Sequence, residues 1–264
     1  MCVGIDPHPG LLDAWRLPSS VEGLRTFALR CVEAFAGHVA VVKPQAAFFE
    51  SYGSAGIAVL ERVIAGFRDS GTLVLVDAKR GDIGSTMDAY ARAFLADGAP
   101  LAGDAVTLSP YLGFGSLEPA VRLAGETGRG VFVLAATSNP EGPTVQRALL
   151  AHTVPAERSR TVAQAVVDAA AERNLGLHPL GGIGVVIGAT LDRLDLDISA
   201  LNGPILAPGF GAQGGTVDRL RALFGPTLPG VLPSSSRDVL RHGPRVVDLR
   251  DAALRVRDAL ANGG

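Results

Sequence analysis

Short runs of apolar residues recur along the chain at regular intervals, and segments with apolar residues three and four apart lie between them. The runs predict strands at Cys2–Asp6, Val39–Lys43, Thr72–Asp77, Ala105–Leu108, Val131–Ala136, Gly184–Gly188, Pro204–Ala207 and Gly230–Leu232. Several are almost continuous Val, Ile and Leu, the pattern of a strand covered on both faces. Helical spacing marks Val21–Gly37, with Leu24, Phe27, Ala28, Cys31 and Phe35 on one face. It also marks Ser54–Asp69, which opens on a Ser cap and carries Ile57, Leu60, Ile64 and Phe67. Thr86–Ala96, Ser116–Ala124, Glu157–Arg173, Val217–Phe224, Ser235–Arg241 and Leu249–Ala261 complete the helical set.

Eight strand–helix alternations without a Gly-x-Gly-x-x-Gly fingerprint favour an α/β fold of the closed (β/α)8 TIM-barrel kind over a doubly wound sheet. No linker interrupts the alternation, so residues 1–264 are expected to form a single barrel domain. Longer loops follow the fifth strand (Pro140–Pro155) and the seventh (Gly209–Gly215). In a barrel both belong to the C-terminal face, where enzymes of this architecture place their chemistry. Asp6, Lys43, Asp77, Lys79, Ser138 and Gln213 all fall at or just beyond predicted strand ends on that face.

Composition narrows the class. A chain of 264 residues with 47% hydrophobic content can bury a substantial core, and a net charge of −2 gives no reason to expect nucleic acid or an acidic membrane as partner. No apolar run reaches the roughly 18 residues of a membrane span. No basic leader with a cleavage site opens the chain, and a cytoplasmic location is expected. The start is abrupt, with the first strand at Cys2, which leaves room for a short covering segment ahead of it. Cys2 and Cys31 form neither a disulfide framework nor a metal spacing and are expected to be reduced and structural. His8, His38, His152, His178 and His242 make no metal-binding cluster with the carboxylates and are expected at the surface or as caps. Trp15 and the Phe48–Phe49 pair are expected to pack in or around the core.

Charge usage adds a chemical clue. Only two of the 24 basic residues are lysines, Lys43 and Lys79, and both sit where an apolar run meets charge. Arginine does not release its proton in the accessible pH range, whereas the pKa of a lysine responds to its surroundings, so proton donation is a reason to keep an amine. Asp77 and Lys79 are two apart at the end of one predicted strand, which puts their side chains on one face. Lys43 comes from the neighbouring strand and can meet them, with carboxylate and ammonium neutralising one another. Asp82 lies beyond, in a glycine-containing loop, and can reach elsewhere, including across a subunit interface. The Asp-x-Lys-x-x-Asp spacing is weak by itself. Its place after Thr-Leu-Val-Leu-Val and before Ile-Gly-Ser-Thr sharpens it.

The segment Asp77-Ala-Lys-Arg-Gly-Asp-Ile-Gly-Ser-Thr86 resembles the signature of the orotidine 5′-phosphate decarboxylases. Val3-Gly-Ile-Asp6-Pro-His, Val42-Lys43-Pro-Gln-Ala-Ala-Phe-Phe-Glu50, Thr137-Ser138-Asn-Pro140 and Pro208-Gly-Phe-Gly-Ala-Gln213-Gly-Gly215 are similar to motifs of its bacterial long-chain, type 2 subgroup. The resemblance runs from residue 2 to about 240 and implies a carboxy-lyase that converts orotidine 5′-monophosphate to UMP without metal or organic cofactor. It implies Lys79 as proton donor to C6 of the pyrimidine, Asp77 beside the substrate carboxylate, and Lys43 with Asp6 at the ribose hydroxyls. Asp82, Ile83 and Thr86 would come from the partner subunit of a homodimer. Ser138 would bond the pyrimidine, and Gln213 and Arg237 the phosphate. Ser109 and Gly115 depart from the subgroup, which more often has Asn and Asp there. Two other readings stay open: a related Mg²⁺-dependent sugar-phosphate decarboxylase or aldolase, and an inactive barrel that binds nucleotides.

Overall fold

Continuous apolar runs become the staves of a barrel. The computed structural model describes residues 1–151, 160–212, 214–226 and 230–262. Its strands are β1 (Cys2–Ile5), β2 (Val41–Pro44), β3 (Leu73–Arg80), β4 (Ala105–Leu108), β5 (Gly130–Ala136), β6 (Ile183–Ile187), β7 (Ile205–Pro208) and β8 (Val231–Ser235). They hydrogen-bond in sequence order and β8 returns to β1, a closed barrel with the (β/α)8 order that the alternation predicts. Register places Gly4 opposite Lys43 and Val3 opposite Ser235, so the polar strand ends gather at one level.

The helices are α1 (Pro9–Ala14), α2 (Val21–Phe35), α3 (Ala46–Glu50), α4 (Gly53–Arg68), α5 (Gly84–Leu95), α6 (Glu118–Thr127), α7 (Pro143–Gln146), α8 (Val162–Asn174), α9 (Val217–Phe224), α10 (Arg237–Leu240) and α11 (Val246–Asn262). Three of them, α1, α3 and α7, escape prediction because four to six residues are too few to show a helical period. The expected Ser54 cap is displaced: α4 starts a residue earlier, and Tyr52 holds the cap position without a side-chain bond. The predicted helix from Glu157 begins at Val162, where Thr161 accepts from the Gln164 N–H; residues 157–159 lie outside the described residues. β8 runs on to Ser235, beyond the predicted end at Leu232, because Ser234 and Ser235 pair with Cys2 and Val3.

Two compact units divide the chain, one of residues 1–78, 91–106 and 234 onward, the other of residues 79–90 and 107–233. In the first, α2 packs against α4 and α11, with Leu24, Phe27, Cys31 and Phe35 fully buried. Each such large side chain contributes about 1.5–3 kcal/mol by leaving water. Arg250 of α11 donates to the Ala34 and Glu33 carbonyls and so satisfies the C-terminus of α2. Trp15 packs on Phe27 with its indole N–H on the Leu240 carbonyl, a core role as expected.

In the second unit a buried amide does comparable work. Asn174, closing α8, donates to the Ile183 and Leu201 carbonyls at 2.7 and 2.9 Å and accepts from the Ile183 N–H. Gly181 and Gly203 make room for it; a Cβ at either would stand within 2.5 Å of the Asn174 amide. The side chain joins a helix end to the entry of β6 and leaves no bonding atom of its own unpaired.

Candidate active site

The first unit contributes a buried ion pair at the ends of β2 and β3. Lys43 and Asp77 are 6% and 5% exposed, and Lys43 Nζ donates to Asp77 Oδ2 at 2.7 Å. Gln45 donates through Nε2 to the same oxygen at 3.0 Å, and its backbone bridges to Asp77. Burial pushes the Lys43 pKa down, but the Asp77 and Asp6 carboxylates outweigh it and hold the amine above the ordinary lysine range. Lys43 therefore stays an ammonium. Among the described residues, the buried side-chain polar atoms without a partner are Asp6 Oδ1, Ser235 Oγ and Ser236 Oγ. All three sit where β1 meets β8, and a Cβ at Gly4 would stand 2.7 Å from Ser236 Cβ and 3.2 Å from Asp6 Oδ2. Glycine at position 4 leaves the room that the Ser236 and Asp6 side chains occupy.

Both lysines and Asp77 lie within their strands rather than at the predicted ends, because β2 continues to Pro44 and β3 to Arg80. Lys79 is exposed and takes φ +47°, a left-handed conformation that costs a non-glycine residue on the order of 1–2 kcal/mol. The strand's simple alternation is therefore interrupted at Lys79, and spacing alone does not set the direction of its side chain. Its N–H donates to the Thr107 hydroxyl, itself 1% exposed, at 2.9 Å. Ser109 N–H donates to the Arg80 carbonyl, and a Cβ on Gly81 would meet the Ser109 carbonyl at 2.2 Å. The loop after Lys79 is thus laid against the segment after β4. Asp82 is half-buried and accepts from the Ile83 N–H, whereas Ile83 is 62% exposed and Thr86 is exposed.

Ser138 stands exposed just beyond β5. Arg237 is exposed at the first position of α10, after the unpaired Ser236. Gln213 lies outside the described residues; around it Gly209, Gly211 and Gly214 have φ of +101°, +82° and +95°, which suits a turn only glycine enters freely. Cys2 and Cys31 are free and buried, and burial pushes the Cys2 thiol up to about 11. His8 caps α1 by accepting from the Gly10 N–H; His152 lies outside the described residues. Among the described residues no three or more of His, Cys, Asp and Glu are grouped to hold a metal ion. Nor is any helix among them long and apolar enough to cross a membrane.

Gln45 is the member of the ion-pair cluster that sequence reasoning passes over. Its signal is its parity: it follows Lys43 by two, one residue past β2 where the backbone is still extended, so the two share a face. Cavities of about 60 and 630 Å³ in the second unit are lined by the 191–199 segment and its neighbours, and by none of the predicted site residues.

Residues 1–221 match the family described as orotidine 5′-phosphate decarboxylase / HUMPS. An orotidine 5′-phosphate decarboxylase of Salinispora tropica is 57% identical over 256 residues, covering 97% of this chain and 90% of that protein. One from a Nocardioides species is 57% identical over 261 residues, covering 98% and 93%. A crystal structure of a Streptomyces avermitilis protein assigned the same activity superposes with a TM-score of 0.92 at 53% identity, covering 99% of this chain and 91% of that one.

Proposed function

The chain belongs to the orotidine 5′-phosphate decarboxylase family, and we propose that Lys79 is the acid and Lys43–Asp77 the fixed charge of its reaction. That reaction is the decarboxylation of orotidine 5′-monophosphate to UMP, the last step of de novo pyrimidine nucleotide synthesis. The C6–carboxylate bond breaks, CO₂ leaves, and the electron pair stays on C6 in the plane of the ring. No carbonyl is placed to take up that charge, so an ammonium offers both stabilisation and a proton. The proton passes from the Lys79 Nζ to C6, and the neutral amine left behind regains a proton from solvent. Asp77 faces the leaving carboxylate and helps to set the charge of the site.

The observation that carries this reading is the division of labour between the two amines. Lys43 is buried and held protonated by two carboxylates, so it is suited to ordering charge and ribose. Asp6 keeps an unspent acceptor at Oδ1, suited to a ribose hydroxyl. Ser138 takes the pyrimidine, and Gln213 and Arg237 take the phosphate. No metal or organic cofactor takes part. The site is shared: Asp82, Ile83 and Thr86 reach the substrate of a second copy in a homodimer. Support for this comes from the exposure of Ile83 together with Tyr111 and Leu112, 80% and 52% exposed, on the two loops joined at Gly81 and Ser109. The chain works as one barrel domain, which the closed strand order supports, and in the cytoplasm.

Mixing protein with orotidine 5′-monophosphate should abolish the orotate absorbance, with EDTA present or absent, and the Lys79→Ala variant should not. A silent wild type sinks the reaction, and a Lys79→Ala variant at full rate sinks the proton donor. Loss on EDTA would favour the metal-dependent reading. Mixed Lys79→Ala and Asp82→Ala chains should regain part of the rate, because one site of each hybrid dimer is intact. Failure to regain any would remove the shared site.

A further inference from the structure

Ser138 is a short side chain on an exposed loop, and a hydroxyl there contributes to binding only if the backbone that carries it is held. Both of its neighbours are tied into one directed chain of hydrogen bonds that starts at Gln146, the last residue of α7. Gln146 grips Thr137 at two points. Its Oε1 accepts from the Thr137 N–H at 3.0 Å, and its Nε2 donates to Thr137 Oγ1 at 2.7 Å. The Thr137 hydroxyl then gives its own proton to Asn139 Oδ1 at 2.6 Å, and Asn139 Nδ2 donates to Glu141 Oε2 at 2.9 Å. That last bond holds the Glu141 carboxyl below its ordinary pKa, so the chain ends on a charged acceptor. The side-chain donors all run from Gln146 toward Glu141, only the Thr137 backbone N–H pointing back to Gln146, and the order Gln146, Thr137, Asn139, Glu141 straddles Ser138.

The surroundings are fitted to this arrangement. A Cβ on Gly142 would stand 3.0 Å from both Gln146 Oε1 and Thr137 Oγ1, closer than side chains ordinarily approach. On the other side, a Cβ on Gly188 would stand 3.3 to 3.6 Å from the N, Cβ and Oγ of Ser138. Gly188 also donates to the Ala136 carbonyl at 2.9 Å. Ser138 is thus backed by one strand end and tied on both flanks. The anchor itself is held, since Arg147 pairs with Asp195 at 3.0 Å and Arg193 pairs with the same carboxylate at 2.7 Å.

We propose that Gln146 is a positioning residue that sets Ser138 for the amide edge of the pyrimidine. The inference rests on the pyrimidine role proposed for Ser138. Misplacing a polar contact by about an ångström costs on the order of 10- to 100-fold in rate. Gln146→Ala should therefore lower kcat/KM for orotidine 5′-monophosphate by about 10-fold, and Ser138→Ala by a similar factor. In the double variant the second loss should vanish, because Gln146 then has no hydroxyl to place. Gln146→Glu keeps an acceptor for the Thr137 N–H but cannot donate to Thr137 Oγ1. The Thr137 hydroxyl then turns to Glu and releases Asn139, for an intermediate loss; this variant also serves if Gln146→Ala fails to fold. Equal losses from Gln146→Ala with and without Ser138 would overturn the proposal, as would an unchanged kcat/KM in Gln146→Ala. A harmless Ser138→Ala would overturn it from the other side. An inactive wild type would strike the reaction instead, and the same cycle read as UMP affinity by calorimetry would still decide the role of Gln146.

Discussion

The ends of β2 and β3 each present a lysine, and the two are built in opposite ways. At β2 the amine is buried, bonded to Asp77 and drawn toward protonation by Asp6 as well. At β3 the residue is exposed, its backbone is bent to φ +47°, and its N–H is held by a buried threonine. A buried ion pair contributes little net stability over an apolar pair but is costly to break, so the β2 arrangement is a commitment of the fold. The turn at Lys79 carries backbone strain instead. Strain of that kind persists where the neighbouring structure over-determines it, and it gathers at working sites.

If this contrast is right, the two ends fail differently under substitution. Lys79→Ala should lower kcat by about 10³-fold or more while leaving urea stability within about 1 kcal/mol of wild type. A large loss of stability would erase the distinction. Asp77→Ala should do the reverse in its stability, losing about 3–5 kcal/mol by leaving the Lys43 ammonium buried without its partner. Urea unfolding no steeper in cost than for Lys79→Ala would break the comparison. Alkaline pH should press on the buried side of the first unit. The thiol of an unfolded Cys2 ionises from near 9, whereas the folded one waits until about 11, so the fold loses stability as pH rises between those values. The loss is about 2–3 kcal/mol by pH 11, and Cys2→Ala should remove it; an unchanged pH slope in that variant would count against burial as the cause. The smallest effect tests the strain directly. Lys79→Gly should be more stable than Lys79→Ala by about 1 kcal/mol, since glycine enters positive φ freely, and equal stabilities would deny the strain.

What the sequence makes legible follows physical range. Strands such as Leu73–Arg80 and Ile183–Ile187 announce themselves because their covering on both faces demands continuous apolar residues. Their ends do not, because β3 continues through Asp77 and Lys79 on pairing rather than on hydropathy. The helix α7 is one turn long and carries no period, so the residue that grips Thr137 lies in what reads as loop. Asn174 is silent for another reason: its partners are the carbonyls of Ile183 and Leu201 and the Ile183 N–H, which no sequence pattern marks. The charges of the site are legible by type and spacing, whereas the left-handed turn at Lys79 and the bond from Gln45 belong to three-dimensional context.

The scarcity of lysine has a practical consequence. With Lys43 buried and held protonated, an amine-selective acylating reagent meets a single exposed side-chain amine among 264 residues. The residue proposed to give up the proton is then also the one side-chain amine a covalent label would find. Occupancy of the label on the peptide that carries Lys79, read by mass apart from the N-terminal amine, counts sites with an accessible lysine without any engineered handle.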